Sequence, residues 1–284
     1  MNITGTEKFS TVKKPSWCPG CGDFSIWHGL KKALADSGLE PHQLTIVYDI
    51  GCSGNMCSFV NAYGFHGLHG RSIPAAAGVH LTRPELPTIV VGGDGGLFGE
   101  GLSHFIHACR ANYNITVIAH DNQVYGLTTG QTSPTTFKGV ETKSNPHGGY
   151  DEPVDPVSLA LLSGATFVAQ GFSGELEQIA DLIKQGLAHR GFSFIHIYQP
   201  CVTFNHVNTY EYFRERVFQI EQSAQDPLAV LPLLKNKERI PLGVLYEERS
   251  REDFREQIGH LKDVNLVEPV TKERDISSLL SLFQ

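Results

Sequence analysis

Two groups of side chains in this sequence have types and spacings that could do chemistry. The first is Gly93-Asp94-Gly95-Gly96 together with Asn122. Glycines let a backbone approach a diphosphate closely and offer it N–H groups, and a following helix presents its positive N-terminus. Asp94 would give Mg²⁺ one hard oxygen, the Asn122 amide a second, and the Val124 carbonyl a third. Mg²⁺ asks for near-octahedral oxygen ligation at about 2.0–2.1 Å, completed by phosphate oxygens and water. A Gly-Asp-Gly turn alone is equally well a capped loop. Its coupling to Asn122, one helix and one strand further on, is more specific.

The second group is cysteine. Cys18-Pro19-Gly20-Cys21 is a CxxC turn, a spacing shared by zinc sites, iron–sulfur sites and redox dithiols. Cys52 and Cys201 each follow a strand-like run, so the two fall at one sheet edge if the sheet is parallel. Four thiolates from three segments suit a [4Fe–4S] cluster, with structural zinc as the rival. Cys57 and Cys109 read as small buried hydrophobes. His66 and His69 lie in the glycine-rich Gly64–Arg71 stretch and suit contact with phosphate or substrate. A zinc site there would lack the glutamate of an HExxH helix. His104 and His107 read as structural, His120 stays open between a structural and a site role, and His189 and His196 carry no usable signal.

These residues need elements to hold them. Apolar, nearly continuous runs at Leu44–Tyr48, Pro87–Val91, Ile115–Ala119, Thr166–Ala169 and Phe192–Tyr198 predict strands buried on both faces of a parallel sheet. Helices are predicted at Asp23–Ser37, Leu102–Ala111 and Gly174–Arg190, the second turning Leu102, Ile106 and Cys109 toward the sheet. Such alternation predicts a doubly wound α/β domain, whose ligands bind beyond the carboxyl ends of the strands. Asp49–Gly54, Gly92–Gly96, His120–Gln123 and Gln199–Cys201 all follow strands in this reading. The proline- and glycine-rich stretch Thr128–Pro156 is expected to be a functional loop. Residues 1–226 are expected to form the cofactor domain and 227–284 a C-terminal arm over it or over a partner. That arm holds an apolar cluster at Leu228–Leu234, a short strand at Leu242–Tyr246 and a charged run at Glu247–Arg255.

Composition narrows the class. With 40% hydrophobic and 19% charged residues in 284, the chain is an ordinary globular protein. A formal charge of −7 without a basic run argues against nucleic-acid binding, and no apolar stretch approaches the roughly 20 residues of a membrane span. The polar stretch Met1–Pro15, with Lys8, Lys13 and Lys14, has no secretory character, so a cytoplasmic, reducing location is expected.

Taken together, Trp17–Gly22, Gly51–Gly54, Tyr63–Arg71, Gly93–Gly95, Asp121–Gln131 and Gln199–Cys201 resemble the β subunit of 2-oxoacid:ferredoxin oxidoreductases. The likeness runs from about residue 13 to residue 250, and the pairing of Gly-Asp-Gly with Asn122 is the pattern of thiamine-diphosphate enzymes. The resemblance implies a thiamine-diphosphate-binding fold. It implies that Cys18, Cys21, Cys52 and Cys201 hold one [4Fe–4S] cluster, and that Asp94, Asn122 and Val124 hold Mg²⁺. Ile50, Gly51, Cys52, Ser53, His69, Gly95, Gly96, Gly126 and Leu127 would line the cofactor, with Leu127 and His69 nearest the reaction. The implied activity is oxidative decarboxylation of a 2-oxoacid with acylation of coenzyme A, or its reverse, electrons passing singly to ferredoxin.

Relatives that take 2-oxoglutarate often carry a basic residue after the Gly-Cys-Ser-Gly motif. Here that residue is Asn55, so a second substrate carboxylate would need Arg71 or a partner chain. Asp121 stands where relatives often have a second Asn, which leaves the metal ligands intact. The predicted strands are used up by one diphosphate-binding domain. An α subunit is therefore expected to supply the glutamate that activates thiamine and most of the coenzyme A site. Lys13 and Lys14 are either a solvated face or a guide for an acidic ferredoxin. Of the substrates, 2-oxoglutarate is favoured over pyruvate. The rivals are a non-redox thiamine-diphosphate decarboxylase subunit with structural zinc, and an electron-transfer subunit with a vestigial pocket.

Overall fold

A computed structural model describes residues 5–236, 238–259, 261, 262, 264, 266, 267 and 277–283. Its strands are β1 (Thr45–Tyr48), β2 (Tyr63–His66), β3 (Thr88–Gly93), β4 (Thr116–Asp121), β5 (Val124–Tyr125), β6 (Gln131–Thr132), β7 (Phe167–Phe172), β8 (Ser193–Tyr198), β9 (Val217–Gln219) and β10 (Ile240–Glu247). The longer helices are α1 (Asp23–Asp36), α2 (Ser72–Thr82), α3 (Leu102–Ala111), α4 (Pro156–Leu162) and α5 (Leu176–Ala188). Among the described residues, no helix is long and apolar enough to cross a membrane.

The main sheet has the order β2-β1-β3-β4-β8-β7-β10-β9. From β2 through β7 every pairing is parallel, while β10 runs antiparallel to β7. Strand side chains alternate between two cores. Ile46, Tyr48, Ile89, Val91, Ile118, Ile195 and Ile197 pack with α1 and α5 through Ile26, Leu30, Leu34, Ile179 and Ile183. Val47, Val90, Val117, Ala119, Val168 and Phe194 pack on the opposite face with Phe105, Ala108, Val157 and Ala160. Burial on both faces explains why β1, β3, β4, β7 and β8 read as continuous apolar runs.

Two expectations need correction. The buried face of α3 is Phe105, Ala108 and Cys109, and Ile106 is solvent-exposed, because the large Phe105 ring claims the core against Phe98 and Phe194. The strand expected at Leu242–Tyr246 is β10, a member of the main sheet and not part of a peripheral arm. Val230, Leu234, Leu245 and Tyr246 share a core with the preceding residues. An open β7 edge would leave a row of backbone groups unpaired, and β10 pairs it. The end of the expected arm, residues 268–276, lies outside the described residues. The stretch Thr128–Pro156, expected to be a functional loop, includes β6, which pairs with β5, and buries Ser133, Thr135 and Thr136.

Candidate functional site

The carboxyl ends of β1, β3 and β4 open into one cavity. It is lined by Ile50, Gly51, Cys52, Ser53, His69, Gly93, Asp94, Gly95, Gly96, His120, Asn122, Val124, Tyr125, Gly126, Leu127 and Thr128, with about 80 Å³ of space. Every residue expected to line a cofactor is on this wall. Asp49, which sequence reasoning passed over, holds the wall together. Its buried carboxylate accepts from Ile50 N (2.8 Å), Gly70 N (3.1 Å) and Ser72 Oγ (2.7 Å). One side chain thus fixes the turn after β1, the loop carrying His69, and the start of α2. Glycine at 96 is required beside it, since a Cβ there would lie 2.3 Å from Asp49 Oδ1. At position 95 a Cβ would lie 2.3 Å from the Tyr125 ring.

Asp94 is 2% exposed and sits beside Asp121, also 2% exposed. Thr135 Oγ1 lies 2.8 Å from Asp94 Oδ2 and 2.7 Å from Asp121 Oδ1. One hydroxyl proton serves one acceptor at a time, so Thr135 cannot satisfy both carboxylates at once. Burial, and then the neighbouring Asp121 carboxylate, hold the Asp94 carboxyl above the usual carboxylate range. A divalent cation fits that deficit. His196 Nε2 pairs with Asp121 Oδ2 at 2.8 Å, which turns Asp121 away from the cavity and leaves Asp94 facing it. Gln123, at φ 60°, reverses the chain between Asn122 and Val124, and Asn122 Oδ1 accepts from Val124 N at 3.1 Å. That turn brings Asn122 and Val124 to the cavity wall with Asp94. Thr135 was not anticipated; the hydroxyl-rich run Thr132–Thr136 was its only signal.

A second cavity of about 230 Å³ adjoins the first and is lined by Trp17, Cys18, Cys21, Cys52, Asn55, Gln199, Cys201 and Phe204, among others. Cys52, Asn122, Gly126 and Leu127 line both. Gly126 is the smallest part of that shared wall: a Cβ there would lie 3.5 Å from Cys52 Sγ and 3.8 Å from Cys201 Sγ. Trp17, 8% exposed and edge-on to Phe24 and Phe59, donates its indole N–H to Cys52 O at 2.7 Å, tying the CxxC segment to the β1 turn. Gln199 Nε2 donates to Cys21 Sγ at 3.2 Å. Burial pushes the Cys52 thiol up to about 12, with further contributions from Asp23, Cys201, Cys18 and Asp94, and burial raises the Cys21 thiol as well, so these two free thiols stay protonated. Metal binding would release those protons. The sulfurs surround the cavity: among the described residues, no three His, Cys, Asp or Glu side chains are gathered to hold a single ion.

Other expectations fall as follows. Cys109 is buried as read, but Cys57 is half-exposed with Sγ 3.5 Å from His66 Nδ1. His66 and His69 are exposed, and only His69 reaches the first cavity. The Arg71 guanidinium is engaged by the carbonyls of His69, Gly70 and Glu100 and lines neither cavity.

Comparison with known proteins agrees with this geometry. Residues 49–197 match the family model of the thiamine pyrophosphate enzyme C-terminal TPP binding domain, and residues 201–263 match that of the C-terminal part of the pyruvate ferredoxin oxidoreductase beta subunit. The β subunit of 2-oxoacid:ferredoxin oxidoreductase 2 from Aeropyrum pernix is 41% identical, covering 88% of this chain and 85% of its own. The β subunit of the Saccharolobus solfataricus 2-oxoacid:ferredoxin oxidoreductase is 39% identical, covering 87% of each. This chain belongs to the β subunits of the 2-oxoacid:ferredoxin oxidoreductases. It also superposes with a TM-score of 0.91 at 33% identity on a solved 2-oxoglutarate:ferredoxin oxidoreductase from Magnetococcus marinus with 2-oxoglutarate, coenzyme A and succinyl-CoA bound, covering 100% of this chain and 97% of that one. As a β subunit of this family it is part of an oxidoreductase that has a separate partner subunit.

Proposed function

We propose that this β subunit holds thiamine diphosphate with Mg²⁺ in the first cavity and a [4Fe–4S] cluster in the second. Joined to an α subunit, it carries out the coenzyme A-acylating oxidation of a 2-oxoacid, or the reverse, and passes electrons to ferredoxin. The supporting observation is the wall of Cys52, Asn122, Gly126 and Leu127 shared by the two cavities, because so thin a partition allows electron transfer over a short distance. Bound thiamine diphosphate would supply the electron sink for decarboxylation, and a cluster the one-electron acceptor.

In this reading Asp94 Oδ1 or Oδ2, Asn122 Oδ1 and the Val124 carbonyl ligate Mg²⁺, and the backbone N–H groups at Gly95 and Gly96 face the diphosphate. Ser53 Oγ, buried without a hydrogen-bond partner, is free to bond the cofactor. Cys18, Cys21, Cys52 and Cys201 hold the cluster, and their spread around the cavity favours a multi-atom group over one zinc ion. Leu127, 50% exposed, and His69 stand at the open side. The α subunit would close that side, bringing the glutamate that activates the aminopyrimidine and most of the coenzyme A site. Lys13 and Lys14, exposed near the CxxC turn, suit a docking ferredoxin, and a cytoplasmic location suits the free thiols.

For substrate we favour 2-oxoglutarate over pyruvate. Asn55 brings no charge and Arg71 lines neither cavity, so the α subunit would meet the second carboxylate of 2-oxoglutarate. The test is anaerobic reconstitution with the α subunit, coenzyme A and ferredoxin. Reading ferredoxin reduction with each 2-oxoacid should give kcat/KM higher for 2-oxoglutarate than for pyruvate. Pyruvate as the better substrate would reverse the preference, and no ferredoxin reduction with any 2-oxoacid would sink the reading.

A further inference from the structure

One imidazole on the wall of the first cavity is only half accounted for. His120, 1% exposed at the end of β4, turns Nδ1 to Asp23 Oδ1 at 2.6 Å. Asp23 is fully buried at the start of α1, and its other oxygen, Oδ2, accepts from Cys21 Sγ at 3.5 Å. With Nδ1 committed, the remaining nitrogen is Nε2. It is buried without a hydrogen-bond partner, and His120 lines the first cavity. Leaving a buried polar atom unpaired costs free energy, so native chains pair such atoms or keep them for a ligand. Ser53 Oγ is left unpaired on the same wall, which places two unsatisfied polar atoms on one cavity. A histidine needed only to satisfy Asp23 would not require its far nitrogen to end there.

Resting on the cofactor reading above, we propose that His120 Nε2 contacts bound thiamine diphosphate, and that Asp23 positions the ring and links this contact to Cys21. His120 is then a cofactor contact and Asp23 a positioning residue. Because Asp23 holds the imidazole and also lies beside Cys21 of the second cavity, where a bound cluster would leave a thiolate, a change at the Asp23–His120 contact on occupation of the first cavity should be felt electrostatically at the second.

The test uses the anaerobically purified αβ complex stripped of thiamine diphosphate, with iron and acid-labile sulfide assayed in every preparation. Titration with thiamine diphosphate and Mg²⁺ gives the affinity. The electron paramagnetic resonance signal of the reduced cluster, with and without cofactor, gives the coupling. Replacing His120→Phe should weaken binding by about 10-fold or more, the scale of one lost hydrogen bond to a charged group. His120→Gln, which carries an amide near the Nε2 position, should recover most of that loss. The cluster signal should shift on cofactor binding in the wild type and stay unmoved at saturating cofactor in His120→Phe. If His120→Phe does not fold, Asp23→Asn, which keeps the volume, carries the test and should also weaken binding and reduce the shift. Unchanged affinity in these variants, or a wild-type cluster signal blind to the cofactor, overturns the inference. In that case an iron-loaded wild type that binds cofactor, and loses it in Asp94→Ala, keeps the functional reading intact. A wild type that binds no thiamine diphosphate overturns both.

Discussion

Replacing Asp49 should separate the wall of the first cavity from its cofactor ligands. Asp49 is fully buried and takes three hydrogen bonds from three segments: Ile50 N, Gly70 N and Ser72 Oγ. In Asp49→Ala all three donors lose their acceptor, and two of those bonds are buried. A buried donor stripped of its partner costs about 1–3 kcal/mol, and bonds to a charged acceptor lie at the upper end. Allowing for non-additivity among neighbours, the expected loss is about 3–5 kcal/mol, a large share of the ordinary 5–15 kcal/mol of a domain. Asp49→Asn behaves differently. Its Oδ1 can still accept from Ile50 and Gly70, and its Nδ2 can donate to Ser72 Oγ, which accepts as readily as it donates. That change should cost about 1 kcal/mol, the charge-assisted share of the bonds. Urea unfolding of both variants gives the stabilities, and titration with thiamine diphosphate shows whether the wall still forms. Equal destabilisation by Ala and Asn would refute the hydrogen-bond argument and leave a packing effect in its place.

Further outcomes are expected elsewhere. Burial lowers the affinity of His80 and His189 for protons below the ordinary 6.5. The unfolded chain therefore binds protons that the folded chain refuses, and this contribution to stability is lost as pH falls below about 6.5. Melting temperatures at pH 7.5 and 5.5 should diverge less in His80→Phe than in the wild type, and equal divergence would contradict the assignment. Gly95→Ala drives a Cβ to 2.3 Å from the Tyr125 ring, so the ring must swing into the cavity; cofactor affinity should drop by about 10-fold or more, and retained affinity would show that the ring yields outward. Thr129 holds φ 76°, a left-handed conformation poorly suited to a β-branched residue, so Thr129→Gly should stabilise the chain by about 1 kcal/mol in urea unfolding, with no gain counting against strain.

The parts of the fold that were legible share one physical feature. Strands β1, β3, β4, β7 and β8 are buried on both faces, so apolarity alone marks them, and they carry Asp94, Asn122 and Cys201 to a single edge. Strand β2 was not legible: Tyr63, Gly64, Phe65 and His66 are all exposed at the sheet edge, so no buried face patterns them. Helix α2 also escaped, because its small apolar residues give little contrast between faces. On α3 the spacing of Leu102, Ile106 and Cys109 suggested the wrong face, since it ignored the ring of Phe105. The cavity-lining residues were readable from short motifs. Asp49 and Thr135 were not, because each acts by bonding to other site residues across the fold. The Asp23–His120 contact joins residues 97 positions apart and leaves no local trace.

The central claim is that thiamine diphosphate and an iron–sulfur cluster occupy adjoining cavities of this one chain. Its most direct test is the iron, zinc and acid-labile sulfide content of the anaerobically purified β subunit. The account predicts about four irons and four sulfides per chain, carried by the four cysteines of one [4Fe–4S] cluster. Stoichiometric zinc without sulfide would contradict it and leave a non-redox thiamine-diphosphate subunit in its place.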